Sequence, residues 1–387
     1  MNDGAHLSLP IPPRPHKVAQ WRRPQFWAQG LIGSLLGGGL MFLALRAAQG
    51  LSVWEAMALC LALPLALWLQ ILIHEGGHAV AGLLSGQQLL ACGVGPIRLE
   101  RKGHGWHVRW SRSMTAVAGF VLMLPRSGSS GRWSATAYLL GGPLANLLVV
   151  ALSIPWALAE PQAGTTLELV LPRLVAGTGL LIGVANLLPF MVGGWSTDGR
   201  HLLKLWQGSE EAKVMMFLRH LGGLSATGVR PRDWPLPSLE TLRLDAIPQA
   251  AADALAQCCL YKAIDERAPD RPEVLEAARA MASRFWSGAD ATRPSKALLL
   301  SRWLVEVGGD LDEALAWAEL AEGGIIDLSA ERAALQALLA WRRGNAPQAE
   351  KHLREASGLR DRVQPGAALA MFDDDLASLR AQLSRHC

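Results

Sequence analysis

Charged side chains are scarce in this sequence. Asp, Glu, Lys and Arg make up only 18% of the 387 residues, whereas 50% are apolar, and the mean hydropathy is +0.19. This balance points to a membrane protein, and the length suffices for two or three domains. The net charge of +4 is small and its carriers are scattered, so we expect no nucleic-acid partner.

The sequence also lacks a disulfide framework and a secretory signal peptide. Its five cysteines are odd in number and show no C-x-x-C spacing, which indicates reduced thiols and a C-terminal part that faces the cytoplasm. The adjacent Cys258 and Cys259 suggest a metal site at first sight, but buried thiols on one helix explain them better. The N-terminus is a polar, proline-rich arm without a short apolar region and a cleavage site.

Long apolar runs occur only in the first two hundred residues, and they predict about four membrane spans. Residues 1–25 are expected to form a disordered cytoplasmic arm, which ends in a basic cluster ahead of Trp27 as at a cytoplasmic membrane boundary. Basic loops fall on one side, which predicts a multi-pass protein of a bacterial inner membrane with both termini in the cytoplasm. The expected spans are residues 26–48, 53–84, 135–158 and 169–192.

Residues 86–134 differ in character from the flanking spans. Residues 91–100 and 105–110 alternate in the manner of two strands, and residues 119–125 are a further short apolar segment. The lysines and arginines of this region place it on the cytoplasmic side. Two interpretations stay open: a β-hairpin whose edge pairs with an extended substrate, and a basic interfacial loop.

Residues 206–387 contain no apolar run long enough to span a bilayer, and they predict a cytoplasmic helical domain. Ala314 and Ala321 recur 35 residues later as Ala349 and Ala356, a period close to that of tetratricopeptide hairpins. A solenoid normally needs more than two units, so a tetratricopeptide-like repeat and an irregular bundle are both retained, and either can bind a protein partner. The whole chain is predicted to be mainly α: a polytopic helical membrane protein with a small β-hairpin insertion and a C-terminal soluble α-helical domain.

The most specific motif is His74-Glu75-Gly76-Gly77-His78, inside the second expected span. On a helix, His74 and His78 share a face and can bind one cation together, while Glu75 beside them can take a proton from water. Two histidines and a glutamate are costly in an apolar segment unless a metal or a water-filled cavity receives them. A five-residue pattern can arise by chance, and the apolar flanks make a site the better explanation.

A third protein ligand is expected, because catalytic zinc sites usually have three and keep one position for water. Asp198 and His201 are the candidates near a membrane boundary, and we favour Asp198 because it precedes a glycine at the end of a span. A helix N-cap is the alternative role for Asp198, and capping does not exclude ligation. His201 is expected to face interfacial water. Two histidines and one carboxylate suit zinc well.

Two further motifs follow the histidines in chain order. The next span contains Gly142-Pro-Leu-Ala-Asn146, and Asn186-Leu-Leu-Pro189 leads to Asp198-Gly199. Together with H-E-x-x-H they resemble the site-2 protease family of intramembrane zinc metalloproteases. The resemblance covers about residues 50–205, and it assigns residues 26–205 to a metalloprotease domain.

One interval departs from the family's pattern. The stretch from Asn186 to Asp198 is longer than the compact Asn-x-x-Pro-x-x-x-x-Asp-Gly form of the family. The resemblance therefore requires Gly193 and Gly194 to loop out, so that Asp198 can reach the metal.

The resemblance implies a role for each matching residue. His74, His78 and Asp198 become ligands of one Zn²⁺ per chain, and Glu75 becomes the catalytic base. Asn146 faces the active site, where it orients the substrate or stabilises the oxyanion. The implied activity is that of a zinc metalloendopeptidase that cleaves transmembrane segments of membrane-anchored proteins inside the lipid bilayer, in regulated intramembrane proteolysis or clearance of remnants. The substrate must offer extended backbone, because an intact helix hides its scissile bonds.

Two other classes of function compete with the protease. A catalytically silent membrane scaffold would bind partners through its C-terminal helical domain, but it would need no general base such as Glu75. A metal carrier would need a relay of intramembrane carboxylates, and few exist beyond Glu75.

Overall fold

Helices make up most of the protein, as the sequence predicts. The computed structural model describes residues 7–14, 38, 52–102, 105–110, 118–126, 131–159, 167–192, 195–236, 247, 249–287, 292–324 and 326–385. The helices within these residues are α1 (Val53–Leu84), α2 (Arg132–Ala157), α3 (Leu167–Leu187), α4 (Asp198–Gln207), α5 (Glu210–Ala226), α6 (Gln249–Asp265), α7 (Pro272–Ser283), α8 (Arg293–Glu306), α9 (Leu311–Glu319), α10 (Ser329–Arg342), α11 (Ala346–Gly358) and α12 (Ala367–Ser384). The strands are β1 (Gln87–Val94), β2 (Ile97–Lys102), β3 (Gly105–Trp110), β4 (Gly119–Pro125), β5 (Met191–Val192) and β6 (Trp195–Ser196). The first expected span, residues 26–48, lies outside the described residues apart from Gly38.

Three helices, α1, α2 and α3, are long and apolar enough to cross a membrane. Helix α1 begins at a capping box, in which the side chains of Ser52 and Glu55 each bond the other's backbone N–H. Most of its apolar surface is exposed, and one narrow face packs against the other helices. The buried residues of that face are Leu59, Ala66, Gln70, His74, His78 and Gly82.

Helix α3 ends at Leu187, before the expected end of the fourth span at residue 192. Pro189 has no amide hydrogen and disfavours a helical conformation of the residue before it, so the helix stops here. Strands β5 and β6 then pair antiparallel, with Met191 opposite Ser196. A small hairpin therefore replaces the last part of the expected span.

The region predicted as a β-hairpin is a four-stranded antiparallel sheet of order β3-β2-β1-β4. Residues 91–100 do not form one strand, because Gly95, with a φ of +59°, turns the chain between β1 and β2. Strands β2 and β3 pair as a hairpin, as the alternation predicts. Strand β4, predicted only as a short apolar segment, pairs with β1 and forms one edge of the sheet.

The C-terminal helices pack as successive hairpins, α6–α7, α8–α9 and α10–α11, and α12 packs against the last of them. The residues that recur at a period of 35 occupy equivalent buried positions in two of these hairpins. Ala314 and Ala321 are fully buried beside α8, and Ala349 and Ala356 are fully buried beside α10. The sequence period thus corresponds to a repeated packing position.

The N-terminal segment and the sheet both contact this helical domain. Residues 7–14, within the arm expected to be disordered, lie extended against the helical domain, and the side chain of Leu9 is only 3% exposed there. On another side, Nζ of Lys102 in β2 lies 2.7 Å from Oδ2 of Asp327, just before α10. Lys102 also lies 3.2 Å from the buried carboxylate of Glu100. The sheet therefore packs on the helical domain through buried charges.

Candidate metal centre

The two histidines of the H-E-x-x-H motif lie on the buried face of α1, where that helix crosses α2. His74 and His78 are one turn apart and both are buried. The helices approach closely because glycines meet at the crossing: a Cβ on Gly77 would lie 2.6 Å from Cβ of Ala145 and collide with the main chain of Gly141. Small residues at this crossing bring α2 directly behind the imidazole rings.

Asp198 is brought to the histidines by the β5–β6 hairpin. The chain leaves α3, runs out along β5 and returns along β6, so that the Thr197 N–H donates to the carbonyl of Phe190 at 3.1 Å. Thr197 is the N-cap of α4, since its hydroxyl accepts from the Arg200 N–H. The alternative role of Asp198 as the N-cap is therefore wrong, because Asp198 is the first residue of the helix and its carboxylate is free to face the histidines.

The glycine that follows Asp198, Gly199, is required by close packing against α3. A Cβ at this position would overlap the main-chain carbonyl of Leu187, at the end of α3. Helix α4 can therefore begin against α3 only with glycine at this position. This contact fixes the start of α4, and with it the position of Asp198.

The three side chains present one atom each to a common point. The Nε2 atoms of His74 and His78 are 3.1 Å apart, and Oδ2 of Asp198 lies 3.2 Å from the first and 3.4 Å from the second. Three ligands that hold a tetrahedral cation at about 2.05 Å are about 3.3 Å from one another. The three residues therefore fit a single metal ion. Among the described residues, this is the group of three or more possible ligands close enough together to hold a metal.

Both imidazoles are held from behind in one orientation. Nδ1 of His74 lies 2.8 Å from Oδ1 of Asn146, and Nδ1 of His78 lies 2.6 Å from the main-chain oxygen of Tyr138. Since these oxygens accept, each Nδ1 carries a hydrogen and each Nε2 faces the common point, where it can donate to Asp198 when protonated or bind a cation when neutral. A neutral ring with its hydrogen on Nδ1 is the form that binds a metal through Nε2.

Asn146 is itself fixed by Gln70. Its amide nitrogen donates to the main-chain oxygen and to Oε1 of Gln70, at 2.9 and 2.8 Å, and both residues are fully buried. Both N–H groups of the amide are thus engaged away from the cavity. This geometry favours orientation of His74 by Asn146 over the direct contact with substrate that the resemblance implies.

Glu75 lies beside the three residues at a cavity of about 560 Å³. The cavity is lined by α1, α2, the end of α3, the start of β4, β6, α4 and α5. Strand β4 passes over the carboxylate so closely that a Cβ on Gly119 would lie 2.7 Å from Oε1 of Glu75 and 2.9 Å from Cγ2 of Ile71. The backbone of an edge strand therefore forms one wall of the cavity at Glu75.

The charge at the common point is negative. Burial opposes ionisation of Asp198, but the hydrogen bonds and charges of His74 and His78 outweigh it and lower the pKa of Asp198 to about 2. His201 lines the same cavity, and burial lowers its pKa. It lies outside the three-residue group, and it is partly buried rather than facing open solvent.

Four residues of the site escape the sequence analysis. Gln70 anchors Asn146, Gly119 covers Glu75, and the Tyr138 hydroxyl donates to the main-chain oxygen of Val121 at 2.8 Å, which ties α2 to β4. Arg219 of α5 lies at the cavity, with its guanidinium 5.2 Å from the ring of Tyr138. Gln70 alone carries a signal in the sequence, as a polar residue one turn before His74 in an apolar helix.

Comparisons of the chain with protein-family models, with curated proteins and with solved structures found no match.

Proposed function

We propose that this protein is a multi-pass zinc metalloendopeptidase that cleaves transmembrane segments of membrane-anchored proteins. The observation that carries the proposal is the convergence of His74, His78 and Asp198 on one point, with Glu75 beside it at a cavity between apolar helices. An apolar helix carries such side chains at a cost, which a bound metal and a wet cavity offset. The proposed location is the inner membrane of a bacterium, with both termini in the cytoplasm.

Each residue has a defined task in this proposal. His74, His78 and Asp198 would hold the cation through Nε2, Nε2 and Oδ2, beside Glu75 and the cavity. A zinc ion in such a site supplies Lewis-acid activation of water and of a peptide carbonyl. Glu75 takes the proton released from the attacking water and returns it to the leaving amine. Asn146 keeps the ring of His74 in place.

The cavity favours an extended substrate. One wall is the start of β4, which forms an edge of the sheet. An extended peptide can add to such an edge through main-chain hydrogen bonds, which presents its scissile bond to Glu75. Transmembrane segments with helix-breaking residues supply extended backbone most readily, because their local unwinding costs least.

The test compares wild type with Glu75→Gln as purified full-length protein in detergent. Zinc content is measured by mass spectrometry, and cleavage is measured on paired transmembrane peptides with and without a central Gly-Pro step. We expect one zinc in both proteins and cleavage of the Gly-Pro peptide by wild type only. Glu210→Gln, at an exposed carboxylate of α5, is the matched control and is expected to cleave as wild type does.

Two outcomes would contradict the proposal. Failure of wild type to bind zinc after loading would remove the ligand assignment. Zinc bound by both proteins, with no cleavage by either of any peptide in the panel, would favour the catalytically silent scaffold instead.

A further inference from the structure

The N-terminal residues 7–14, here called the arm, lie in a groove of the helical domain. The groove includes α9, the residue before it and the short 3₁₀ turn Phe285–Ser287, and the apolar cluster against which the arm packs includes residues of α8. The side chains of Leu7, Leu9 and Ile11 point inward, while those of Ser8 and Pro10 are exposed. This alternation is that of an extended peptide with one face buried.

The groove binds the main chain of the arm. The indole N–H of Trp317 donates to the carbonyl of Leu9 at 2.7 Å, and that of Trp286 donates to the carbonyl of Pro12 at 2.6 Å. The backbone N–H of Asp310 donates to the carbonyl of Leu7 at 3.1 Å. These contacts need an extended backbone but no particular side chain on the arm.

Glu313 completes this pattern from α9. Its carboxylate accepts from the backbone N–H of Leu9, and it accepts from the hydroxyl of Ser8 at 2.7 Å. Both main-chain groups of Leu9 are therefore bound, one by Trp317 and the other by Glu313. Hydrogen bonds with a charged acceptor are among the stronger ones in proteins.

Apolar and cationic contacts add selectivity for the side chains. Leu9 is only 3% exposed and belongs to the same buried apolar cluster as Phe285, Trp303 and Trp317. At the other end of the groove, the guanidinium of Arg14 lies 4.5 Å from the ring of Trp286. The preferred peptide is thus extended, with a leucine at its centre, prolines after it and a cation at its C-terminal end.

The arm has the properties of a bound ligand. It is joined to the helical domain by residues distant in sequence, more than 270 positions away. Its prolines favour an extended conformation before binding, which reduces the entropy lost when it docks. Stacked helical hairpins commonly present grooves for such peptides.

We propose that this groove is a peptide-binding site, that the arm is its intramolecular occupant, and that an extended proline-containing segment of a partner protein displaces the arm. The proposal is independent of the metal centre. It assigns to the helical domain a ligand of stated chemistry, a Leu-Pro-x-Pro segment followed by a basic residue.

The test uses the full chain and a variant that lacks residues 2–14, both in detergent. A fluorescein-labelled peptide with the sequence of residues 5–16 is the probe, and binding is followed by fluorescence anisotropy. We expect saturable binding to the truncated chain and at least tenfold weaker binding to the full chain, in which the arm competes. The same peptide with Leu9→Asp should not bind, because it would bury an unpaired charge.

A matched pair of variants locates the site. Glu313→Gln in the truncated chain should weaken peptide binding about tenfold, because a charged acceptor is lost. Glu319→Gln, an exposed position at the end of the same helix, should leave binding unchanged. If both variants bind as well as the unsubstituted truncated chain, the groove is not the binding site.

A full-length variant distinguishes release of the arm from misfolding of the truncated chain. Full-length Leu9→Asp should release the arm and raise the affinity for added peptide toward that of the truncated chain. Circular dichroism should show unchanged helix content in both variants. The proposal is overturned if the truncated and Leu9→Asp chains both lose their helical domain, if neither binds the peptide, or if both bind it no better than wild type.

Discussion

At the scale of single residues, the sequence is most informative where ligands are close together. His74 and His78 are predictable because four residues on a helix are one turn, and Glu75 follows from the same motif. Asp198 is found by its glycine and its place at the end of a span, and the structure brings it to the histidines. The hydrogen-bond partners behind the rings are not predictable. Nδ1 of His78 bonds to the main-chain oxygen of Tyr138, and any residue at that position would provide such an oxygen.

Replacing Asn146 tests the support of His74. In Asn146→Leu the Nδ1 hydrogen of His74 loses its acceptor, so the ring is less firmly held and its Nε2 lone pair is less well aimed. We expect zinc affinity to fall about 10- to 100-fold. Competition with a chelator measures this. Asn186→Leu is the control: that amide bonds a carbonyl of its own helix, so zinc affinity should be retained, and an equal loss in both variants would contradict the assigned role.

Glu331 of α10 is expected to make the stability of the helical domain depend on pH. Burial, and after it the charge of Asp327, raise the pKa of Glu331 from its usual 4.5 to about 7. Between these values the folded chain keeps a proton that the unfolded chain has released, so the free energy of unfolding falls as pH rises through this window. Other charges that act on Glu331 are those of Lys102 and Glu100.

Glu331→Gln should therefore leave the melting temperature unchanged at pH 5 and raise it at pH 8 by about 2–4 °C. Thermal melts followed by intrinsic fluorescence at the two pH values measure the difference. Exposed Glu350→Gln is the control for the substitution itself. An equal shift at both pH values would show that packing, rather than the proton, sets the stability at Glu331.

At the scale of elements, residue patterns predict helices and strands better than they predict pairing. The alternation of residues 105–110 finds β3, and the long apolar runs find α1, α2 and α3. The position of β4 at Glu75 depends on its long-range pairing with β1, which no local pattern encodes. The β5–β6 hairpin is similar: the resemblance requires extra residues between Asn186 and Asp198 to loop out, but only the pairing of Met191 with Ser196 reveals the hairpin.

The crossing of α1 and α2 provides a test within the motif itself. A Cβ on Gly77 would lie 2.8 Å from the carbonyl carbon of Gly141, whereas a Cβ on Gly76 would meet nothing within 4 Å. Gly77→Ala should therefore push the helices apart at a cost of about 1–3 kcal/mol. It should also weaken zinc binding, since α2 holds the rings of His74 and His78 from behind.

Gly76→Ala is the matched control for Gly77→Ala, because it changes the neighbouring residue by the same methyl group. Melting temperature and zinc affinity of the two variants are compared in the same detergent. We expect Gly76→Ala to match wild type in both. If Gly77→Ala also matches wild type, the close approach of the helices does not determine the metal centre.

At the scale of the whole molecule, composition separates the apolar N-terminal part from the helical domain but does not show how they meet. The arm is polar and rich in proline, which predicts disorder, yet Leu9 is buried against the apolar cluster of the helical domain. The sheet likewise has two contacts that sequence cannot reveal. Its β4 covers Glu75, and its β2 reaches Asp327 through Lys102, so one small sheet contacts both the candidate metal centre and the helical domain.

This connection predicts that a charge in the helical domain affects the sheet. The side chain of Lys102 is only 3% exposed, and its Nζ has two carboxylate partners, Glu100 and Asp327. Burial opposes ionisation of Asp327, but the hydrogen bond and charge of Lys102 lower the pKa of Asp327 to about 2, so Asp327 is ionised at neutral pH. Asp327→Asn can keep the side-chain oxygen that accepts from the Ser329 N–H, but it replaces the oxygen that accepts from Lys102 with an amide nitrogen, so the charge and this hydrogen bond are both lost.

We expect Asp327→Asn to cost about 1–3 kcal/mol, because a buried cation loses one of its two anions. Hydrogen exchange followed by mass spectrometry should show faster exchange in β2 as well as in α10. Asp312→Asn is the control, since its ion pair with Arg343 is on the surface and should contribute less than about 1 kcal/mol. Faster exchange in α10 alone would mean that the sheet and the helical domain are not coupled through this pair, whereas faster exchange that extends to β4 would carry the effect to the strand that covers Glu75.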